Sequence, residues 1–196
     1  RAALQAALAD SWALMSRTLF VLRHVFHEDC MVPDTLRKAE MMLEEVHGLA
    51  DWEPEAEGAL APSEALFAAV CAEKDAALAL AERHRDAVAA AAAELPEPGR
   101  GQLLETFDLQ VHYVRIFRAC ARACFAARLA RVQPAAHALA EREHAGLDAA
   151  RAVLAARLAG ARYPYLVYWM LDEARLASLS ADLRRLLAAM PAGGVG

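Results

Sequence analysis

Isoleucine occurs once in this chain, at Ile116, and threonine only at Thr18, Thr35 and Thr106. A pleated sheet favours β-branched residues, so their scarcity argues against any large sheet. Long apolar runs are missing as well. No stretch reaches the ~18 uninterrupted apolar residues of a spanning helix, and Leu19 to Leu22 is closed by Arg17 and Arg23. A secretory leader is not visible, because Asp10 interrupts the first apolar segment and no small-residue cleavage pattern follows it. Before Gly99 the only glycines are Gly48 and Gly58. That leaves no phosphate-cradling loop, and no strand–turn–helix for a nucleophile elbow. Excess positive charge is lacking too: the formal charge is −5, and acids are interspersed with the arginines. The electrostatic footprint of a nucleic-acid binder is therefore absent, and neither a nucleic-acid nor a membrane partner is expected. Among Cys30, Cys71, Cys120 and Cys124 there is no C-x-x-C pair. They read as small buried hydrophobes in a reducing compartment, which favours the cytoplasm.

What is present is a chain of 196 residues, 58% hydrophobic and 24% charged, rich in Ala, Leu, Arg and Glu. Such values suit a globular domain with a sizeable core, and those four residues are strong helix formers. Hydrophobic period and breakers predict six helices. The stripe Leu4, Leu8, Trp12, Met15, Leu19, Leu22 and Phe26 predicts a first helix over residues 2–29, and Asp34 is the expected N-cap of a second, up to Leu49. Two prolines, a glycine and four acids make residues 51–62 a linker. Ser63 should cap a third helix reaching Leu95, and the Pro96–Gly101 turn leads to a fourth ending at Val132. The last two run from Pro134 to Leu158 and from Pro164 to Ala189. Short connections between long rods force antiparallel neighbours. The expected fold is all-α: an up-down antiparallel bundle of four long helices over residues 63–190, with an N-terminal helical hairpin (1–50) and a flexible tail (191–196). The helical pattern already running at Arg1 suggests a piece of a longer polypeptide.

Two E-x-x-H motifs, Glu44/His47 and Glu141/His144, invite a ferritin-like dimetal reading, which needs such motifs to project inward from facing helices. At ~100° per residue the predicted apolar stripe of the fifth helix holds Leu139, Ala140, Leu147, Ala150, Leu154 and Leu158. His137, Glu141, His144 and Asp148 fall on the other side, as a solvated polar stripe. On the second helix the stripe is Leu36, Ala39, Met42, Leu43 and Val46, with His47 at its flank and Glu44 turned away. On this reading no metal or other cofactor is expected, and the spacing is cheap in a chain with 26 acids and seven histidines.

Other polar residues face inward. Glu73 and His84 fall within the apolar side of the third helix, with Lys74 at its edge. Gln110, Arg118 and Arg128 lie beside Phe107 and Val114 on the fourth, and Asp172 interrupts the stripe of the sixth. Buried charges must find partners, since an unpaired one costs several kcal/mol. An antiparallel hairpin about the Pro96–Gly101 turn brings Glu73 level with Arg118 to Arg122, and His84 level with His112. The expectation is a register-fixing polar network of Glu73, His84, Gln110, Arg118 and Asp172, with Glu73 paired to an arginine. The aromatic group Tyr163, Tyr165, Tyr168 and Trp169 reads as core packing, with a carbohydrate or partner platform as the sharper alternative.

Glu73-Lys74 opening a long Ala/Leu helix, followed after a turn by Leu104, Phe107, Gln110, Tyr113 and Arg115, resembles the helical region that follows the catalytic barrel in some large bacterial glycoside-hydrolase-like proteins. The likeness covers about a third of the chain, and its motif holds no catalytic residue. It implies a non-catalytic accessory or scaffolding domain within a larger carbohydrate-active protein, partnered by a neighbouring domain of the same polypeptide or by further copies of itself. The alternatives are a free-standing interaction or regulatory bundle, and the dimetal protein built on Glu44, His47, Glu141 and His144.

Overall fold

A computed structural model describes residues 2–9, 34–40, 61–162 and 172–190. These form α1 (Ala2–Ala9), a helical turn at 36–40, α2 (Glu64–Ala91), α3 (Gly99–Val132), a 3-10 turn (Pro134–Ala136), α4 (His137–Ala159) and α5 (Glu173–Ala189). The fold class is all-α, with no strand among the described residues. Most of the expected first two helices, residues 51–60 of the linker, the aromatic group at 163–169 and the tail lie outside them.

Two of the long helices, α2 and α5, begin where a side chain satisfies an open N–H group. Ser63 caps α2, its Oγ accepting from the Leu66 N–H at 3.1 Å. The helix stops at Ala91, short of the expected Leu95. Residues 92–94 form a turn in which the Leu95 N–H donates to the Ala92 carbonyl, and Pro96 drives Leu95 out of the helical region. At 36–40 the capping hydroxyl belongs to Thr35, not Asp34: its Oγ1 accepts from the Lys38 N–H. The Leu36 N–H instead donates to Asp182 Oδ2 on α5 at 2.8 Å, which ties this turn to the bundle.

α3 is central. Phe107, Leu109, Ile116, Phe117, Cys120, Phe125 and Leu129 are buried on several sides of it, as its two apolar flanks predict. It packs against α2, α4 and α5, and α4 packs against α5. Residue pairs across two of these contacts run in opposite directions: Glu82 with Arg115 and Asp75 with Arg122 between α2 and α3, Arg122 with Glu143 and Asp108 with Arg157 between α3 and α4. Leu147, Leu154, Leu176, Leu179 and Leu183 fill the interior beside α3. Burying each side chain contributes roughly 1.5–3 kcal/mol.

Asp172 does not interrupt a continuous last helix. It stands just outside α5 in extended conformation and accepts from the Ala174 N–H at 2.8 Å. A short acid at that place is an N-cap that also complements the helix dipole.

Candidate functional site

On α2 the buried seam is Val70, Lys74, Ala77, Ala81, His84 and Val88, stepping by four and three residues. Lys74, one of only two lysines in the chain, is inside at 2% exposure. Burial pulls its ammonium below the usual lysine value, opposed in part by the adjacent Glu73. Glu73 is half-buried, and its carboxyl is pushed up by burial, with Lys74 offsetting part of the rise. The expected pairing of Glu73 with Arg118 is replaced by Asp75, which contacts both Arg118 and Arg122. The register is as expected, but the helix is rotated. Glu73 lies about 60° from Val70 and Lys74 about 40°, so the lysine takes the inner place. His84 is buried edge-on against Phe107 at 5.1 Å between ring centres, and Gln110 is half-buried on α3. Of the residues expected in the network, Arg118 meets Asp75 and Asp172 caps α5.

The paired carboxylate that matters on α4 is Glu143. Arg122 holds it with both arms, Nε to Oε2 at 2.7 Å and Nη2 to Oε1 at 3.2 Å. Burial alone would raise this carboxyl, but the two Arg122 hydrogen bonds and charge, helped by Arg142, keep it below its ordinary value.

Much of the polar stripe on α4 meets α5. His137 Nε2 lies 3.0 Å from the Leu187 carbonyl oxygen, and His144 Nε2 lies 3.0 Å from the Ser180 carbonyl oxygen. A carbonyl only accepts, so both imidazoles carry their proton on Nε2 and donate it. Arg151 donates to Glu173 at 2.6 Å. These rungs fall at 137, 144 and 151 on α4 and at 187, 180 and 173 on α5, seven residues apart on each helix. The outward placement of His144 is therefore corrected. Counting Leu139 and Ala150 into the stripe shifted its assigned phase, whereas His144 is only about 40° from the fully buried Ala140. Glu141 is outside as expected, 62% exposed and 3.7 Å from His137 Nδ1. Glu44 and His47 lie outside the described residues. Among those described, no group of three His, Cys, Asp or Glu is placed to hold a metal ion.

Ser180, His144 and Asp148 come together, and their proton directions decide what they can do. Ser180 Oγ donates to Asp148 Oδ1 at 2.6 Å and accepts from His144 Nε2 at 3.0 Å. A serine nucleophile needs the opposite arrangement, with an imidazole lone pair facing its proton. Ser180 is also almost fully buried. The trio is a structural clasp. Burial would raise the Asp148 carboxyl, but the Ser180 bond, the His144 charge and Arg151 hold it below its ordinary value.

A third polar group crosses α2, α3 and α4 near the Pro96–Gly101 turn. Asp108 accepts from Arg157 Nε, and His112 Nε2 stands 4.0 Å from the same carboxylate oxygen. Arg115 Nη1 approaches His112 Nδ1 at 3.4 Å, and its Nη2 donates to Glu82 at 3.0 Å. An arginine only donates, so His112 Nδ1 is the acceptor and its proton sits on Nε2. Burial lowers the His112 pKa; Asp108 opposes this, while Arg115, Arg157 and Arg85 add to it. Directly above opens a cleft of about 780 Å³ lined by Arg85, Arg157 and Arg162 with Glu97, Glu105 and Asp108.

No family model, curated protein or solved structure matches this chain. The geometry stands alone.

Cys71, Cys120 and Cys124 are free thiols. Burial pushes Cys124 up to about 12 and Cys120 well above its ordinary value, so both behave as small apolar groups. No helix of the described residues is long and apolar enough to cross a membrane. The sequence did carry a signal for the α4–α5 clasp: His137 and His144 each have an acid four residues on, in two units seven residues apart. The Arg157–Asp108–His112–Arg115–Glu82 group had no such local signature, because three helices supply it.

Proposed function

We propose that this chain is a non-catalytic helical accessory domain, its long helices forming an up-down antiparallel bundle that docks on a neighbouring domain of a larger carbohydrate-active polypeptide. The observation that carries this reading is the outer face of α4. Ala145, Gly146, Ala149, Ala152, Ala156 and Val153 are exposed there without an intervening charge, and Val153 is 48% exposed. A groove of about 250 Å³ runs beside them, bounded on α3 by Arg115, Arg118 and Arg122. Those arginines are already braced by Glu82, Asp75 and Glu143, so the wall is rigid and close to neutral. A contiguous uncharged face of this kind marks a contact surface. The interior supports the same reading, because its polar groups are committed to holding helices in register. The α2–α3 hairpin that carries the likeness to glycoside-hydrolase-like proteins packs directly behind this groove.

The test is association in trans between this chain and the polypeptide encoded immediately upstream of it. Binding that Val153→Glu abolishes, with an upstream barrel in the same reading frame, is the expected result. Self-association abolished by the same substitution would favour the free-standing interaction bundle. A lack of any association would overturn the docking reading.

A further inference from the structure

We propose that the cleft above the Pro96–Gly101 turn is a binding site for a small molecule bearing an oxyanion, either a carboxylate or a phosphate. Its volume of about 780 Å³ falls in the range of small-ligand sites, roughly 300–1,000 Å³. Three guanidinium groups reach it from two directions: Arg85 from α2, and Arg157 and Arg162 from the end of α4. Planar guanidinium forks match carboxylate and phosphate oxygens, which accept two N–H donors side by side.

The same walls carry three acids, Glu97, Glu105 and Asp108, and two of them are engaged within the protein. Glu97 folds back on the start of α3, accepting from Arg100 Nε at 3.1 Å and from the Gly101 N–H at 3.0 Å. Asp108 accepts from Arg157 through Nε, one of the five N–H donors a guanidinium carries. Arg85 meets Asp86, an exposed neighbour outside the cleft lining. Ala89, Pro98 and Leu104 supply an apolar wall, so the ligand has a compact apolar portion beside its oxyanion.

His112 reports occupancy. It sits a helical turn below the cleft with its Nε2 proton toward Asp108. An anion arriving at Arg157 adds negative charge beside the imidazole and draws the guanidinium from Asp108. Both changes favour the protonated ring.

The experiment is calorimetric titration of the full chain with inorganic phosphate and, separately, with citrate, at constant ionic strength set by chloride. NMR of the His112 ring protons is followed in parallel. Saturable binding is expected, weakened roughly tenfold or more by Arg162→Gln and again by Arg85→Gln, since each removes a charge-assisted contact. The His112 pKa should rise on saturation. Tighter phosphate binding assigns a phosphate ester, and tighter citrate binding a carboxylate. Absence of saturable binding by both probes overturns the proposal. So does binding that is indifferent to both arginine substitutions, or a His112 pKa that chloride shifts equally. Arg85 and Arg162 line an exposed wall, so their variants keep the fold; the thermal unfolding midpoint verifies this.

Discussion

Where α2 faces α3, the ion pairs sit on the rim, although Lys74 is inside: Asp75 and Glu82 reach Arg118, Arg122 and Arg115 at the half-exposed edge of the contact. Where α4 faces α5, polar groups occupy the contact itself, with His144, Ser180 and Asp148 clasped between buried leucines. The two contacts answer different needs. The α2 seam, in which Lys74 and His84 stand among Val70, Ala77 and Ala81, gains mainly from the area it buries. A buried polar rung is broken by a slip shorter than the spacing of the rungs, because the shift strands a donor or an acceptor. Between α4 and α5 the rungs repeat every seven residues, so they resist slips shorter than a heptad while Leu147, Leu154, Leu176 and Leu183 stay in the core.

The contrast can be broken at several points. Phe117 is almost fully buried at the centre of α3. Phe117→Ala should cost about 3–5 kcal/mol through the cavity it leaves in the core, measured as a loss of urea midpoint with unchanged slope. A smaller loss, about 2 kcal/mol, is expected for Arg122→Gln, which leaves the buried Glu143 carboxylate without its two-armed partner. The pH profile of unfolding sharpens this point. The Glu143 and Asp148 carboxyls both lie below their ordinary values, so the folded state binds fewer protons than the unfolded chain. Their contribution is complete above the unfolded carboxylate range and disappears as pH falls through the folded values. Arg122→Gln should flatten that acid limb.

Lys74 offers the opposite sign. Its folded value is lowered by burial, so it weakens the fold while charged, and this penalty lifts as pH rises past the folded value toward the ordinary lysine value. Lys74→Met should raise stability at neutral pH by about 1 kcal/mol and remove the alkaline gain, both read from denaturant midpoints. The smallest effect belongs to Ser180→Ala. It removes one donor to Asp148 and one acceptor for His144, at a cost of about 1 kcal/mol. Combined with Asp148→Asn the loss should be less than additive; full additivity would mean that the two act independently.

Helix positions were largely legible in the sequence, because caps and breakers act locally. Ser63, the Pro96–Gly101 turn and Pro134 lie where α2, α3 and α4 begin or end. The central place of α3 followed from apolar residues on two of its flanks. Which polar residues turn inward was less legible. A helix held between two neighbours buries a wider arc than its apolar stripe, so residues at the edge of that arc are decided by what the next helix offers. Lys74 and His144 are such edge residues, within about 40° of the buried centre. Asp75 was overlooked for a related reason, since long arginines reach round a helix flank to an exposed acid. The cleft had no signature at all: its walls come from residues 85, 97–108 and 157–162, which only the fold brings together.

The central claim is that imidazole N–H groups of α4, donated to backbone carbonyls of α5, fix the register of that hairpin. Long-range nitrogen–proton NMR correlation of the histidine rings tests it most directly. The account predicts slowly exchanging protons on Nε2 of both His137 and His144, with the His144 proton lost from protection when Leu183→Ala loosens the seam. An unprotonated Nε2 on His144, or ring protons of both residues exchanging as fast as free histidine, would contradict it.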